Sequence, residues 1–153
     1  MVRLSDLPDF EAEHLRAKDC PRMPYAWVQP VPPQARRVAL ITTAGVHCAD
    51  EDVFRLADAT YRIIPGDADL GTIRMSHASA NFDRTGFQED INVVLPIDRF
   101  RSLETDGRIG SLGSFHVSFM GAGLEPDAYE VSVRALAKIL RQDGVNTAFL
   151  TPV

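Results

Sequence analysis

The segment 36–45, RRVALITTAG, constrains the fold more than any other part of the chain. From Val38 to Thr43 its residues are aliphatic or β-branched, with no alternation of apolar and polar positions, and a glycine ends the run. A strand of this kind is buried on both faces, which is typical of a parallel sheet covered by helices on both sides. The segment therefore predicts an α/β domain.

Three further segments predict strands of the same sheet: 91–97 (INVVLPI), 113–121 (GSFHVSFMG) and 145–153 (VNTAFLTPV). One helix is predicted to follow Ile97 and end at Gly107. A second is predicted to begin at a capping box of Asp127 and Glu130 and to end at Gly144. Strands that alternate with helices predict a three-layer α/β fold, with a parallel or mostly parallel sheet of about four strands and flanking helices.

The remaining segments divide the chain into two parts. Residues 1–36 are predicted to form an extended, proline-rich N-terminal arm with one short helix near 10–18, because five prolines fall within 20–33. Residues 37–153 are predicted to form the α/β domain. Within it, the connection 46–91 is far longer than a plain loop, which indicates a functional loop, a lid or an interface.

Composition excludes several classes of function. Acidic residues outnumber basic ones by 21 to 16 and the net charge is −5, which argues against a nucleic-acid surface. No apolar stretch approaches the roughly 20 residues of a membrane helix, and the acidic start does not resemble a signal peptide, so we expect a cytoplasmic protein. Cys20 and Cys48 match no metal spacing, and we expect reduced thiols and no metal site.

Ligands of open α/β sheets bind beyond the carboxyl ends of the strands, which makes the residues after each strand the first candidates. The segment TTAGVH at 42–47 either brings backbone amides to an anion or is a strand end turned by glycine. His116 either points into a site or forms a hydrogen bond within the sheet. Cys48 is either a nucleophile that needs a neighbouring base or an idle thiol.

Six segments, in order and spacing, resemble the B-type selenoprotein subunits of the glycine, sarcosine, betaine and D-proline reductases, most of all the D-proline enzyme and its proteobacterial relatives. They are ITTAGVH, YRIIP, SHASANFD, DINVVLPIDRF, DGRIGSLGSFHVSFMG and LRQDGVNTAFLTPV. The resemblance extends from Val38 to Val153. It implies an oxidoreductase of amino-acid metabolism that reductively cleaves a carbon–nitrogen bond of a small amine or amino acid.

The resemblance also implies groups that this chain lacks. In that family a selenocysteine, or a cysteine, follows LTPV and attacks the α-carbon, while a pyruvoyl group on a separate subunit engages the amine in the D-proline enzyme. We therefore expect selenocysteine immediately after Val153, a chain truncated before its nucleophile and inactive alone, and a sheet incomplete at its C-terminal end. The uncovered edge strand then favours a homo-oligomer.

Carried over residue by residue, the resemblance implies a site with two catalytic histidines, His47 and His116, one of which donates a proton to the leaving amine. Arg99 or Arg62 is expected to bind a substrate carboxylate, because a guanidinium matches that geometry. The implied substrate-binding residues are Thr43, Gly45, Arg62, His77, Asp83, Asp90, Asn92, Asp98, Arg99, Ser118 and Gly121. Two other functions stay open: a binding or assembly module without catalysis, and an independent acid-base or thiol enzyme that uses Cys48.

Overall fold

The computed structural model describes residues 3–17, 28–79 and 84–153. Its helices are α1 (Asp9–Ala17), α2 (Thr85–Glu89), α3 (Ile97–Thr105) and α4 (Glu130–Gln142). Its strands are β1 (Arg37–Thr42), β2 (Val46–His47), β3 (Tyr61–Pro65), β4 (Arg74–Met75), β5 (Ser111–Leu112), β6 (Phe115–Phe119) and β7 (Thr147–Thr151). None of the described helices is long and apolar enough to cross a membrane.

The main sheet has β1 at its centre. β7 pairs with β1 in parallel on one side, and β5 and β6 pair with it in parallel on the other side. β3 pairs with β6 in the antiparallel direction at the far edge. Five strands thus occupy four positions, because β5 and β6 are two parts of one strand position that Gly113 and Ser114 interrupt. The prediction of a mostly parallel sheet of about four strands is confirmed.

Helices cover the two faces of this sheet, as the unbroken apolar run of β1 predicts. Val38 and Leu40 are buried on one face, in a cluster that includes Phe100 and Leu103 of α3. Ala39 is buried on the other face with Leu136 and Leu140 of α4. Burial of each large aliphatic side chain contributes about 2 kcal/mol to folding. The fold is therefore a three-layer α/β/α arrangement.

The predicted strand 91–97 is wrong. Residues Ile91–Val93 form a short 3-10 turn, and α3 already begins at Ile97. The side chain of Asp90 accepts a hydrogen bond from the backbone N–H of Asn92, and the side-chain oxygen of Asn92 accepts one from the N–H of Asp98. Local side-chain bonds of this kind compete with strand pairing, and here they favour a turn.

The long connection 46–91 contains structure that the sequence did not reveal. β3 joins the main sheet, and β2 and β4 form a separate antiparallel pair. β3 escaped prediction because it is a short edge strand that ends in Pro65, where a missing amide donor is tolerated. Several apolar side chains of the connection pack in the cluster around Leu40 and Val46, namely Ile64, Ala68, Leu70, Ile73, Met75 and Phe87.

Helix ends agree in part with the sequence. Gly107 and Gly144 follow α3 and α4 with positive φ angles of 65° and 75°, as expected for glycine stops. The predicted capping box of Asp127 and Glu130 is absent, because Asp127 lies in a 3-10 turn and Glu130 forms an ion pair with Arg134. The short helix predicted near 10–18 is present as α1. Cys20, predicted to be a reduced thiol, lies outside the described residues.

Candidate functional site

The carboxyl ends of three parallel strands meet at one edge of the sheet. Thr42 of β1 is in register with Ser118 of β6 on one side and with Thr151 of β7 on the other. Arg62 of β3 is the antiparallel partner of Ser118. Residues in register point to the same face, so three hydroxyl groups and one guanidinium form a polar row across the sheet. We call this end of the sheet the carboxyl edge.

The loop after β1 folds back over the carboxyl edge and uses its own amides to do so. The N–H of Thr43 donates to the Thr151 carbonyl at 3.2 Å, and that of Gly45 donates to the Phe119 carbonyl at 2.9 Å. The N–H of Ala44 donates to Thr42 Oγ1, and the N–H of Val46 donates to Ser118 Oγ. Four consecutive amides are thus occupied, so the interpretation of TTAGVH as an anion-binding loop is wrong.

Two glycines allow segments to approach closely at this edge. Gly121 has φ = 76°, and a Cβ added there would lie 2.5 Å from Cβ of Thr43. Gly45 has φ = 64°, and an added Cβ would lie 3.1 Å from the backbone of His77. Glycine tolerates this conformation without a steric penalty. The structure therefore brings together five of the predicted residues: Thr43, Gly45, His77, Ser118 and Gly121.

His77 is buried at this edge. Its Nδ1 accepts a hydrogen bond from the N–H of Ser79 at 3.1 Å, and its carbonyl accepts one from Arg84 at 2.6 Å. Burial, with the nearby charge of Arg84, lowers the pKa of His77 below its ordinary value. The neutral imidazole is therefore favoured. Asp83, predicted beside it, lies outside the described residues.

His47 and Arg62 both pack against the aromatic ring of Phe54. The His47 ring meets Phe54 edge to face at 6.4 Å, and Arg62 Cζ lies 4.3 Å from the centre of the same ring. Arg62 also forms an ion pair with Asp58 at 3.1 Å. Partial burial opposes it, but hydrogen bonds from Thr60 and the charge of Arg62 hold the pKa of Asp58 below its ordinary value. Arg62 is thus held by partners within the chain.

His116 lies inside the sheet rather than in the edge loops. It is fully buried, and its Nδ1 accepts a hydrogen bond from the N–H of Leu40 at 3.2 Å. Burial, assisted by the charge of Arg101, lowers its pKa to about 4. Its Nε2 has no hydrogen-bond partner among the residues that the structure describes. Of the two orientations considered from the sequence, the structure shows the hydrogen bond within the sheet.

The other predicted residues form a second group at the start of α3. Asp90 accepts two hydrogen bonds from Asn92 and forms an ion pair with Arg99 at 3.1 Å. Asn92 also bonds to Asp98, which pairs with Arg101. The hydrogen bonds from Asn92 lower the pKa of Asp90. A shallow cleft of about 400 Å³ runs beside this group, lined by Leu70, Ile73, Phe87, Asp90, Asn92 and Asp98.

Cys48 lies in a setting that disfavours the thiolate. Burial and then the carboxylates of Glu51 and Asp50 raise the pKa of its thiol above the ordinary value. The Glu51 carboxylate also accepts a hydrogen bond from the Cys48 N–H at 3.1 Å. A cysteine nucleophile needs positive charge nearby rather than negative charge. This arrangement favours the interpretation of Cys48 as an idle thiol.

Sequence reasoning missed several residues that build the site. Phe54 organises His47 and Arg62, and Ser76 donates its backbone N–H to the Gly45 carbonyl and accepts a hydrogen bond from the Phe54 N–H. The hydroxyl of Tyr129 is buried with no hydrogen-bond partner in the described part of the chain. All three lie in irregular segments or a 3-10 turn, where no periodic pattern signals them. Among the described residues, no group of three His, Cys, Asp or Glu side chains could hold a metal ion.

Comparison with known proteins places the chain in a family. Residues 23–153 match the family model described as glycine/sarcosine/betaine reductase selenoprotein B. The D-proline reductase subunit gamma of Acetoanaerobium sticklandii is 37% identical over 116 residues, which cover 74% of this chain and 47% of that protein. The sarcosine reductase complex component B subunit beta of Peptoclostridium acidaminophilum is 31% identical, over 75% of this chain and 27% of that protein.

A further relative is the glycine reductase complex component B subunit gamma of Carboxydothermus hydrogenoformans, which is 30% identical over 74% of this chain and 27% of that protein. No solved structure matches the chain. The chain thus spans about half the length of the first relative and about a quarter of the others. Because the family model matches most of the chain, the protein belongs to the glycine/sarcosine/betaine reductase selenoprotein B family.

Proposed function

We propose that this chain forms one wall of the active site in a reductase subunit that cleaves a carbon–nitrogen bond of a D-proline-like or glycine- or betaine-like amine. The observation that carries the proposal is the position of β7, which ends at the carboxyl edge beside Thr43 and Gly121. A reactive residue directly after Val153 would enter the active site at the place where α/β proteins bind ligands. We propose that this residue is selenocysteine or cysteine.

The chemistry requires a nucleophile and two electrons. The net reaction breaks one carbon–nitrogen bond, adds a hydrogen to carbon and another to nitrogen, and consumes two electrons and two protons. A selenol would supply a nucleophile that is ionised at neutral pH, and a neighbouring thiol with an external dithiol would supply the electrons. A pyruvoyl group on a partner subunit would hold the amine. The two relatives from P. acidaminophilum and C. hydrogenoformans are themselves named as components of reductase complexes.

The geometry favours His47 over His116 as the proton donor to the leaving amine. His116 is fully buried within the sheet, and this burial lowers its pKa to about 4. The imidazole of His116 is therefore neutral near pH 7. His47 lies in β2, directly after the loop that folds over the carboxyl edge, and although it is also buried, it stands outside the main sheet. Its Nδ1 contacts the Cys48 carbonyl at 2.8 Å. Because a carbonyl oxygen only accepts, that contact places a ring N–H at Nδ1 and leaves Nε2 as the ring nitrogen proposed to face the substrate.

The greater availability of its guanidinium favours Arg99, at the start of α3, over Arg62 as the ligand of a substrate carboxylate. The Arg62 guanidinium is committed to Asp58, to the Asp52 carbonyl and to the Phe54 ring. The Arg99 side chain is 69% exposed and has one ion pair, with Asp90. Binding a carboxylate would then cost Arg99 a single exposed pair, which is worth less than about 1 kcal/mol.

The first experiment is to sequence the nucleotides that follow the Val153 codon. The proposal predicts UGA or a cysteine codon, followed by a reading frame with another cysteine within a few residues. UAA or UAG, with no such frame downstream, would contradict it. The full-length protein is then incubated with a dithiol, its partner subunits and D-proline, sarcosine, betaine or glycine, and the reduced products are measured by mass spectrometry.

The role of His47 has a matched control in the same chain. His47→Gln is expected to lower turnover by about 10² or more, because general acid catalysis contributes about that factor. His14→Gln, on the exposed helix α1, removes an imidazole far along the chain and is expected to leave turnover unchanged. Equal activities for the two variants would contradict the proposed role.

A binding or assembly role has one observation of its own in the β7 strand. Leu150 is 65% exposed and Phe149 is 42% exposed, and β7 pairs only with β1 in the described part of the chain. An apolar edge strand pairs readily with another segment or another chain. We propose that the protein assembles through it with a further copy or a partner subunit, in the cytoplasm that the sequence leads us to expect. Sedimentation of the full-length protein tests this, since Leu150→Lys should reduce the assembled fraction and Val131→Lys, on α4, should not.

A further inference from the structure

The end of β7 is held by a hydrogen bond that a regular sheet would not contain. In a parallel ladder, the Thr43 N–H that bonds to the Thr151 carbonyl would be followed by a bond from the Val153 N–H to the Thr43 carbonyl. The first of these bonds is present at 3.2 Å. In place of the second, the N–H of Val153 donates to the side-chain oxygen Oγ1 of Thr43 at 2.9 Å. A side-chain oxygen thus replaces a backbone oxygen in the ladder.

The replacement has a clear structural origin. β1 ends at Thr42, and the chain then turns to form the loop over the carboxyl edge. Gly121 lies against this turn, since a Cβ added there would be 2.8 Å from the Thr43 carbonyl oxygen and 3.1 Å from Oγ1 of Thr43. The Val153 N–H meets the side-chain oxygen of Thr43 at this point. Pro152, between Thr151 at the end of β7 and Val153, has no N–H, so the Thr43 hydroxyl holds the first backbone amide that follows β7.

We propose that Thr43 is a positioning residue, which fixes the backbone of Val153 and thereby aims the residue that follows it into the carboxyl edge. This inference rests on the proposed function, because it gives the site a means of orienting its reactive residue. It also changes the role expected for Thr43 from the sequence, where it was a substrate-binding residue. Its hydroxyl is occupied by the chain itself, through the Val153 N–H at 2.9 Å and the Val153 carbonyl at 3.5 Å.

The roles of the neighbouring residues follow from this geometry. Gly121 provides the space that Thr43 occupies, since any side chain there would meet the Thr43 side chain. Ser118 and Thr42 hold the loop that carries Thr43, through bonds to the amides of Val46 and Ala44. Positioning of a reacting group within a few tenths of an ångström has a large effect on rate, and a displacement of 1 Å can cost about 10²-fold.

The test compares Thr43→Val, which keeps the shape and removes the hydroxyl, with Thr43→Ser, which keeps the hydroxyl. Both are made in the full-length protein, and exchange of the Val153 amide is followed by NMR. We expect protection of that amide to fall at least fivefold in Thr43→Val and to persist in Thr43→Ser. Unchanged protection in Thr43→Val would overturn the proposal. If Thr43→Val does not fold, Thr43→Ala serves in its place.

Turnover of the amine substrate gives the second measurement. We expect kcat of Thr43→Val to fall about tenfold with KM unchanged, and kcat of Thr43→Ser to stay within about threefold of wild type. The pH midpoint for alkylation of the residue after Val153 should not move, because its orientation changes and its ionisation does not. Loss of Val153 protection with wild-type kcat would overturn the positioning role. Failure of the wild-type protein to turn over any of the four amines would instead contradict the proposed function, while amide exchange still decides the contact.

Discussion

The two ends of the sheet are held together by different kinds of bond. At the amino end, Arg37 of β1 forms an ion pair with Asp143 at 2.9 Å and donates to the Leu112 carbonyl at 2.7 Å, while Asp143 also accepts from the N–H and the hydroxyl of Ser114. At the carboxyl edge, the loop and β7 are held by neutral hydroxyls, those of Thr42, Thr43 and Ser118.

This contrast shows how one sheet can be held firmly at its amino end and still carry a candidate site at its carboxyl edge. Charge-assisted bonds are roughly twice as strong as neutral ones, so the amino end fixes the strand register. Neutral hydroxyl bonds contribute about 1 kcal/mol each and leave no net charge beside the proposed reactive residue. The buried hydroxyl of Thr151 has no hydrogen-bond partner among the described residues, whereas the Arg37 network at the amino end has multiple partners. Substitutions at the two ends of the sheet should therefore differ in their effects.

The largest effect is expected for Gly121→Ala at the carboxyl edge. The new methyl group would meet the Thr43 side chain at 2.5 Å, at a φ of 76° that alanine adopts only with strain. We expect a loss of about 4 kcal/mol in unfolding free energy, measured by urea denaturation. Gly107→Ala is the matched control, because Gly107 has φ = 65° but nothing within 4 Å of the added Cβ, and it should lose only about 1 kcal/mol. Equal losses would show that the close contact with Thr43 does not exist.

The buried histidine between the two ends gives a pH-dependent effect. His116 has a folded pKa of about 4, so below its ordinary value of 6.5 the unfolded chain binds a proton that the folded chain does not. Stability should therefore fall progressively as the pH drops from 6.5 to 4, by about 3 kcal/mol from this residue. His116→Asn keeps an acceptor for the Leu40 N–H and does not titrate.

The measurement for His116 is the difference in pH dependence between wild type and His116→Asn, obtained from urea unfolding at pH 7 and at pH 4.5. The comparison cancels the contribution of His77, whose pKa is also lowered by burial and by Arg84. The variant should show the shallower dependence, whatever its stability at pH 7. Parallel curves for the two proteins would contradict the buried neutral state of His116.

A smaller effect is expected for the ion pair at the amino end. Asp143→Asn weakens the bonds to Arg37 and Ser114 together, and we expect a loss of about 2 kcal/mol by thermal or urea unfolding. Glu130→Gln is the control, since its pair with Arg134 is mostly exposed and should be worth about 0.3 kcal/mol. If both substitutions cost the same, the amino end is not held by charge in the way described.

The smallest effect is expected for Cys48→Ala. Burial and the carboxylates of Glu51 and Asp50 raise the pKa of this thiol, so its alkylation at pH 7 should be slow and its replacement should leave turnover of the full-length protein unchanged. Loss of activity in Cys48→Ala would instead support the alternative of an independent thiol enzyme.

The parts of the fold with strong periodic or continuous patterns were predictable. The unbroken apolar run 38–43 predicted a central strand, and the spacing of Leu136 and Leu140 predicted α4. The segment 91–97 has an equally apolar run and is not a strand, because the side chains of Asp90 and Asn92 bond locally. The apolar pattern of a segment does not reveal whether such local hydrogen bonds form.

The site was predictable only as a neighbourhood. The expectation that residues directly after strands lie together correctly grouped Thr43, Gly45 and Gly121, because parallel strands end at one edge of the sheet. Sequence could not show that the Thr43 hydroxyl binds Val153, that His47 and Arg62 both contact Phe54, or that His116 is buried. Each of these depends on the path of the connection 46–91 or on side-chain direction. The site roles of the predicted residues stay predictions.

The proposed function requires that the residue directly after Val153 is the reactive one. The most direct measurement compares the full-length protein with a variant that has alanine at that position, using D-proline, a dithiol and the partner subunits. We expect the ring-opened amine to appear with the wild-type protein and its formation to fall by at least about 10³-fold with the alanine variant. Undiminished product formation by the alanine variant would contradict the reactive role of the residue after Val153.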